Sequence, residues 1–389
     1  MTSPDRNIVF VVRNLALGGI PRVVIELCRS WSDEHPEDDV HLVLLDDHDR
    51  HYDTPDNVTE HDLTRLLNDL PGKMVRAGNR LIPNLCSVLT MGRNTRALNR
   101  WARDLERRSG ARVDLMLCGY GAISSFWPSK LHNVVCVAHN LYAAMLEERT
   151  GRFAEGNKRL LRKALRGVPV YGISTPIRDT LRRDIGAEVM DKVLYNPVDA
   201  QRIRRMAAEA APHEVIPSPY VLYLGRLSPE KNVDAIIRAF GAMTTITEPV
   251  LAIAGAGSER AQLEKLAAAQ PRPVRFLGSV KNPYPAIAGA SALVLASDFE
   301  GMPTVLLEAR ALGTPIVTTP AGGASTEAIE GYDAAVLVPA ADPAALSAAL
   351  SALFDNPPGS SHAVPDDLAG FSTRACISRY REVLNAATE

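Results

Sequence analysis

A chain of 389 residues is long enough for two domains, each with its own core. With 46% hydrophobic and 23% charged residues it has the composition of a soluble globular protein, and a formal net charge of −2 gives no overall pull toward nucleic acid. No apolar run approaches the ~20 residues of a spanning helix; the start reads as a strand rather than a signal peptide; and Cys28, Cys86, Cys118, Cys136 and Cys376 lack metal or redox spacing, so they read as reduced packing residues of a cytoplasmic protein.

In chain order, Ile8–Val12 reads as a strand, followed by a Gly18-Gly19 loop and a helix through Val23–Trp31. Val40–Leu45, Val113–Leu117, Val134–Ala138 and Val168–Ile173 follow as short apolar strands. A second series runs through Tyr220–Leu224, Val250–Ala254, Val274–Leu277, Ala292–Ala296, Pro315–Thr318 and Ala334–Val338, with helices such as Val233–Phe240 and Arg260–Ala268 between them. Strands alternating with helices give an α/β class with a doubly wound parallel sheet, twice over. The boundary falls near residue 198, giving domains 1–198 and 199–370. An amphipathic helix over Ser372–Leu384 follows the proline-rich 357–365 stretch. It either caps the second domain or docks back on the first.

Glu300 and Glu308 stand eight residues apart, the first after an apolar strand with a Gly-x-Pro turn, the second inside the following helix. That places them at the carboxyl end of a strand, where open α/β sheets bind ligands. As an isolated pair they also suit the acid–base couple of a hydrolase. Arg226 and Lys231 follow another strand and precede a helix, which suits a diphosphate at a helix N-terminus; two solvated cations are the alternative. Gly18 and Gly19, and again Gly322 and Gly323, offer backbone amides to a ligand or simply make turns. Gly255 and Gly257 lack the rest of a dinucleotide fingerprint. His139 follows the strand Val134–Ala138 and is either structural or a hydrogen-bonding group at a cleft.

These residues together resemble the retaining GT-B glycosyltransferases of glycosyltransferase family 4. The pattern runs through Leu17-Gly18-Gly19, His139-Asn140, Tyr195–Asp199, Gly225-Arg226, Glu230-Lys231-Asn232, Phe276–Gly278 and Glu300 with Glu308-Ala309. Ile20-Pro21-Arg22 departs from the alanine and acidic residue of the family loop, and Met302 replaces its usual Phe or Leu. The resemblance implies two Rossmann-like domains facing a cleft. It implies transfer of a sugar from a nucleotide diphosphate sugar, most often a UDP-sugar, with retention and without a metal or other cofactor. It also implies roles: Arg226 and Lys231 hold the diphosphate, Glu308 the ribose, Glu300 and His139 the sugar, and the two glycine pairs line the donor.

Between Lys73 and Arg112 ten basic residues face two acids, a local charge of +8, interleaved with Leu81, Ile82, Leu85, Val88, Leu89, Leu98, Trp101 and Leu105. A second basic run covers Lys158–Arg166. A basic amphipathic surface suits an anionic membrane face. It points to a peripheral inner-face enzyme with a glycan or polyprenyl-linked acceptor; a solvated arginine-rich helix over a core is the plainer alternative. A sugar-nucleotide epimerase of the same fold and a non-catalytic sugar-nucleotide binder stand as the other function classes.

Overall fold

The computed structural model describes residues 4–16, 18–46, 50–63, 85–139, 154–186, 188–209, 216–355 and 368–387. The readings on Leu17, on Lys73, Arg76, Arg80, Leu81 and Ile82, on Asn140 and on the 357–365 stretch lie outside them. Two compact units divide the chain, Met1–Pro197 with Thr373–Glu389, and Val198–Ser372.

The first unit carries β1 (Arg6–Val12), β2 (Asp39–Leu44), β3 (Thr59–Asp62), β4 (Arg112–Cys118), β5 (Val134–Ala138) and β6 (Val170–Gly172), in the order β3-β2-β1-β4-β5-β6. The second carries β7 (Tyr220–Leu224), β8 (Val250–Ala254), β9 (Val274–Gly278), β10 (Ala292–Leu295), β11 (Ile316–Thr318) and β12 (Ala335–Leu337), in the order β12-β11-β10-β7-β8-β9. Counted from its own first strand, each sheet is 3-2-1-4-5-6, and every pairing is parallel. Helices cover both faces of such sheets, so the central strands are apolar throughout, and β5, β8 and β10 are buried at every position.

One strand carries no apolar signal. β3 is Thr-Glu-His-Asp, an edge strand paired only to β2 and half exposed. It is held by side chains instead: His61 Nε2 lies 3.0 Å from His41 Nδ1, and its ring meets Trp101 edge-on at 4.9 Å. The helix after β1 begins at Gly19, earlier than Val23, with Pro21 in its first turn where a missing amide costs nothing.

The terminal helix Thr373–Ala386 packs on the first unit. Its Cys376, Ile377, Tyr380 and Leu384 are buried, Tyr380 donates to Leu194 O at 3.5 Å, and Lys192 pairs with Glu382 at 2.5 Å. In the basic helix Leu85–Ser109 the apolar residues Met91, Leu98, Ala102 and Leu105 face inward and are buried. Arg96, Arg100, Arg103 and Arg107 remain outside, and of the helix's large apolar side chains Leu89 is exposed.

Candidate functional site

Each sheet reverses its winding at one place, between β1 and β4 in the first unit and between β7 and β10 in the second. In the second unit the two loops flanking that point carry the residues singled out in the sequence. After β7 come Gly225, Arg226 and the single 3-10 turn Pro229–Lys231, followed by the helix Val233–Gly241. After β10 come Ser297, Asp298 and Glu300, then the helix Thr304–Leu312.

The loops touch through charge. Lys231 Nζ lies 2.6 Å from Glu300 Oε1, with the two side chains 11% and 16% exposed. Ser297 Oγ donates to the same carboxylate oxygen at 2.8 Å. Asn232 ties the loops together a second time: its amide donates to Ala296 O at 3.0 Å and to Asp298 Oδ1 at 2.7 Å. Asp298 N donates to Glu230 O at 3.0 Å. To do this Asn232 adopts a left-handed conformation, φ 49°, which asparagine tolerates better than most residues. A third loop joins them, since Glu300 N donates to Ala321 O at 3.2 Å. Arg226 differs in kind. It is well exposed, and holds Glu230 at 3.1 Å on the rim of the same loop. Glu308 lies in the second turn of Thr304–Leu312 and is buried.

The glycines separate by physical role. Gly322 and Gly323 have φ 70° and 101°, so the backbone itself calls for glycine there. Gly255 and Gly257 allow close packing of backbones. A Cβ on the first would stand 1.8 Å from Gly225 O, and on the second 2.1 Å from Leu227 O. Through that contact Gly225 N bonds Ala254 O and Leu227 N bonds Ala256 O, extending the β7–β8 ladder past the strands. Their place in the sequence is thus structural, not part of a dinucleotide fingerprint. Gly18 is extended at φ 168°, and a Cβ on Gly18 or Gly19 meets nothing closer than 3.8 Å among the described residues. No steric or conformational need among those residues demands glycine at either position.

Gly18, Gly19 and His139 belong to the first unit. His139 follows β5 and is buried, and its Nε2 has no hydrogen-bond partner among the described residues. Burial pushes its pKa down to about 4, so the ring is neutral at pH 7. The residues that sequence reasoning gave no role of their own, Ser297 and Asn232, act on charged neighbours. The one local signal for them is their position, two residues past β10 and immediately before a helix.

Residues 218–356 match the family model described as glycosyl transferases group 1. A glycogen synthase from Mycobacterium tuberculosis is 34% identical over 172 residues, 42% of this chain and 40% of that protein. A phosphatidyl-myo-inositol mannosyltransferase from Mycobacterium leprae is 37% identical over 141 residues, 35% of this chain and 37% of that protein. The matched region thus spans well under half the length of these curated relatives. The crystal structure of HepE from Anabaena in complex with UDP and glucose has a TM-score of 0.67 and 16% identity, covering 98% of this chain and 100% of that one. At that identity the likeness is one of fold, and the fold is GT-B.

Proposed function

We propose that the chain is a glycosyltransferase that moves a sugar from a nucleoside diphosphate sugar to a hydroxyl acceptor. The observation that carries this reading is the meeting of Lys231 and Glu300 at the switch point of the second sheet, with Arg226 exposed on the same loop. A cation for phosphate and a carboxylate for sugar hydroxyls then stand side by side, as a diphosphate sugar presents those groups side by side. Lys231 and Arg226 offset the charge that develops on the departing phosphate, the role a metal takes in other transferases. Glu308 accepts from ribose hydroxyls. The amides at Gly322–Gly323 and Gly18–Gly19 line the donor. His139, neutral at pH 7, is a poor general base there and acts as a hydrogen-bonding partner of the sugar.

The configuration at the anomeric carbon is retained. The acceptor oxygen bonds to that carbon on the face the diphosphate leaves, the carbon–oxygen bond to the phosphate breaks, and the phosphate oxygen takes the acceptor proton. A UDP-sugar is the expected donor, in keeping with the UDP complex of HepE. A glycan or lipid-linked acceptor is expected, in keeping with the lipid named for the mannosyltransferase relative. The exposed arginines of Leu85–Ser109 support contact with an anionic membrane surface from the cytoplasmic side. Since the inner apolar face of that helix is in the core, such contact is electrostatic and sensitive to salt.

A panel of UDP-, GDP- and ADP-sugars, read by thermal shift and then by single-turnover release of the nucleoside diphosphate, tests the reading. Anomeric analysis of the glycoside decides retention. Stabilisation by one donor, with release that depends on an acceptor, is the expected result. Release of a free sugar-nucleotide isomer without acceptor points to an epimerase. Binding without turnover with any acceptor points to a sugar-nucleotide binder.

A further inference from the structure

The first unit holds a partly open pocket of about 300 Å³ that Gly18, Gly19 and His139 do not line. Its walls are Ile123, Leu165, Val170, Leu181, Ile185 and Val189, all buried. Ile123 comes from the short helix Gly119–Ile123 after β4, Leu165 and Val170 from the segment entering β6 and from β6 itself, and Leu181, Ile185 and Val189 from the helix Thr175–Asp184 and the stretch after it. A space this large is at the lower end of small-molecule sites, roughly 300–1,000 Å³.

Its polar lining is charged. Arg162 and Arg166 line it and are exposed, and Glu188 is the one carboxylate beside them. The helix Ala154–Ala164 turns Leu161 and Ala164 inward, and even Lys158 is buried. Arg159, Arg162, Lys163 and Arg166 face outward along it and just past its end. Among the described residues none of these four has a carboxylate within ion-pair distance; Arg162 donates to Asp184 O at 2.8 Å. The neighbouring helix behaves differently. Its Arg178 and Arg183 pair with Asp179 and Asp184 at 2.8 and 3.2 Å, and its Arg182 with Asp191 at 2.6 Å. Arg162 and Arg166 are thus exposed cations at the edge of the apolar space with no carboxylate partner among the described residues.

We propose that this space is a binding site for an amphiphile with an apolar chain and a phosphate head, the chain among Leu165, Leu181, Ile185 and Val189 and the head on Arg162 and Arg166. Two guanidinium forks match phosphate oxygens in a way that solvated lysines do not. The site is separate from the donor residues of the second unit and does not rest on the transferase reading.

Calorimetric titration of the full chain with dodecyl phosphate, kept below its micelle concentration, tests this. Saturable 1:1 binding is expected. Inorganic phosphate, which lacks the chain, and dodecyl maltoside, which lacks the charge, should each bind at least tenfold more weakly. Arg162→Glu with Arg166→Glu should weaken dodecyl phosphate at least tenfold. Val189→Phe, which fills the space, should abolish binding; the milder Val170→Leu serves if the first fails to fold. Displacement of the probe by phosphatidylglycerol vesicles assigns a membrane lipid as the source, and its persistence assigns a soluble amphiphile; either keeps the site. Equal binding of phosphate or maltoside, or unchanged binding in a folded cavity-filled variant, overturns the proposal. UDP binding should be unaffected in all of these variants, so failure here leaves the donor site standing.

Discussion

Replacing Lys231 by Ala separates what the ion pair does for the fold from what the cation does for the ligand. At 2.6 Å the Lys231–Glu300 attraction is about 6 kcal/mol gross for an effective dielectric constant of ~20. Desolvation of two largely buried side chains offsets most of it, leaving a net of about 1–3 kcal/mol. Lys231→Ala therefore leaves Glu300 with Ser297 alone and should lower the melting temperature by roughly 2–12 °C, at about 2–4 °C per kcal/mol for a unit of this size. Removing both partners removes the stranded charge, so Lys231→Ala with Glu300→Ala should recover at least half of that loss. Transfer should respond differently. Loss of one preorganised cation at a departing phosphate costs about 10²–10³ in turnover, and the double variant should recover none of it. Differential scanning calorimetry and single-turnover nucleotide release form the cycle. If the double variant melts no higher than Lys231→Ala, the ion pair is not what the fold loses. If Lys231→Ala turns over at the native rate, the diphosphate assignment is wrong.

Arg226 is 64% exposed, so Arg226→Ala should change stability by less than about 0.5 kcal/mol while lowering transfer at least about tenfold; equal loss of both would make it a structural residue. The glycines offer a contrast in urea melts: Gly257→Ala drives a Cβ against the Leu227 backbone and should cost about 2 kcal/mol or more, whereas Gly19→Ala, in open space inside a helix, should be neutral or stabilising by up to about 1 kcal/mol. If Gly19→Ala nevertheless lowers donor affinity, the ligand-approach role holds; unchanged affinity and turnover refute it. Burial, the His61 ring and Arg108 push His41 down to about 4 from an ordinary value near 6.5. The unfolded chain therefore binds the proton first, so this stabilisation is complete above pH ~6.5 and is lost as pH falls toward 4, on the order of 3 kcal/mol in all. His41→Gln should flatten that part of the stability profile, and an unchanged slope in chemical melts between pH 7 and 4.5 refutes the assignment.

The legible parts of this protein are those where one residue type serves one need. Apolar runs such as Val134–Ala138 mark strands covered on both faces, and they recur as β5 and β8 with the same bounds and as β10 one residue shorter. β3 escapes because an edge strand needs no apolar residue; only the reach of His61 to His41 and Trp101 reveals it, and that reach spans tens of residues. The loop residues at the switch point stand out by chemical type, yet the sequence does not say that Lys231 and Glu300 touch. Nor does it show that Asn232 straps one loop to the other, because pairing across 69 and 66 positions leaves no local pattern. The apolar positions of Leu85–Ser109 have the same period whether they face lipid or core, and here they face the core. The basic run at Lys158–Arg166 hides its buried lysine for the same reason.

Both ends of the described chain belong to the first unit, which makes the second an insertion within it. The insertion closes on itself: Val198 N donates to Phe371 O at 2.9 Å, and Val198 and Ser372 form a parallel bridge. The chain thus leaves the first unit and returns to it at neighbouring points. The loop-closure entropy of the second unit is met by its own backbone at the neck. Such a piece can be exchanged for another of its kind by two cuts a few ångströms apart, without asking the first unit to span a gap.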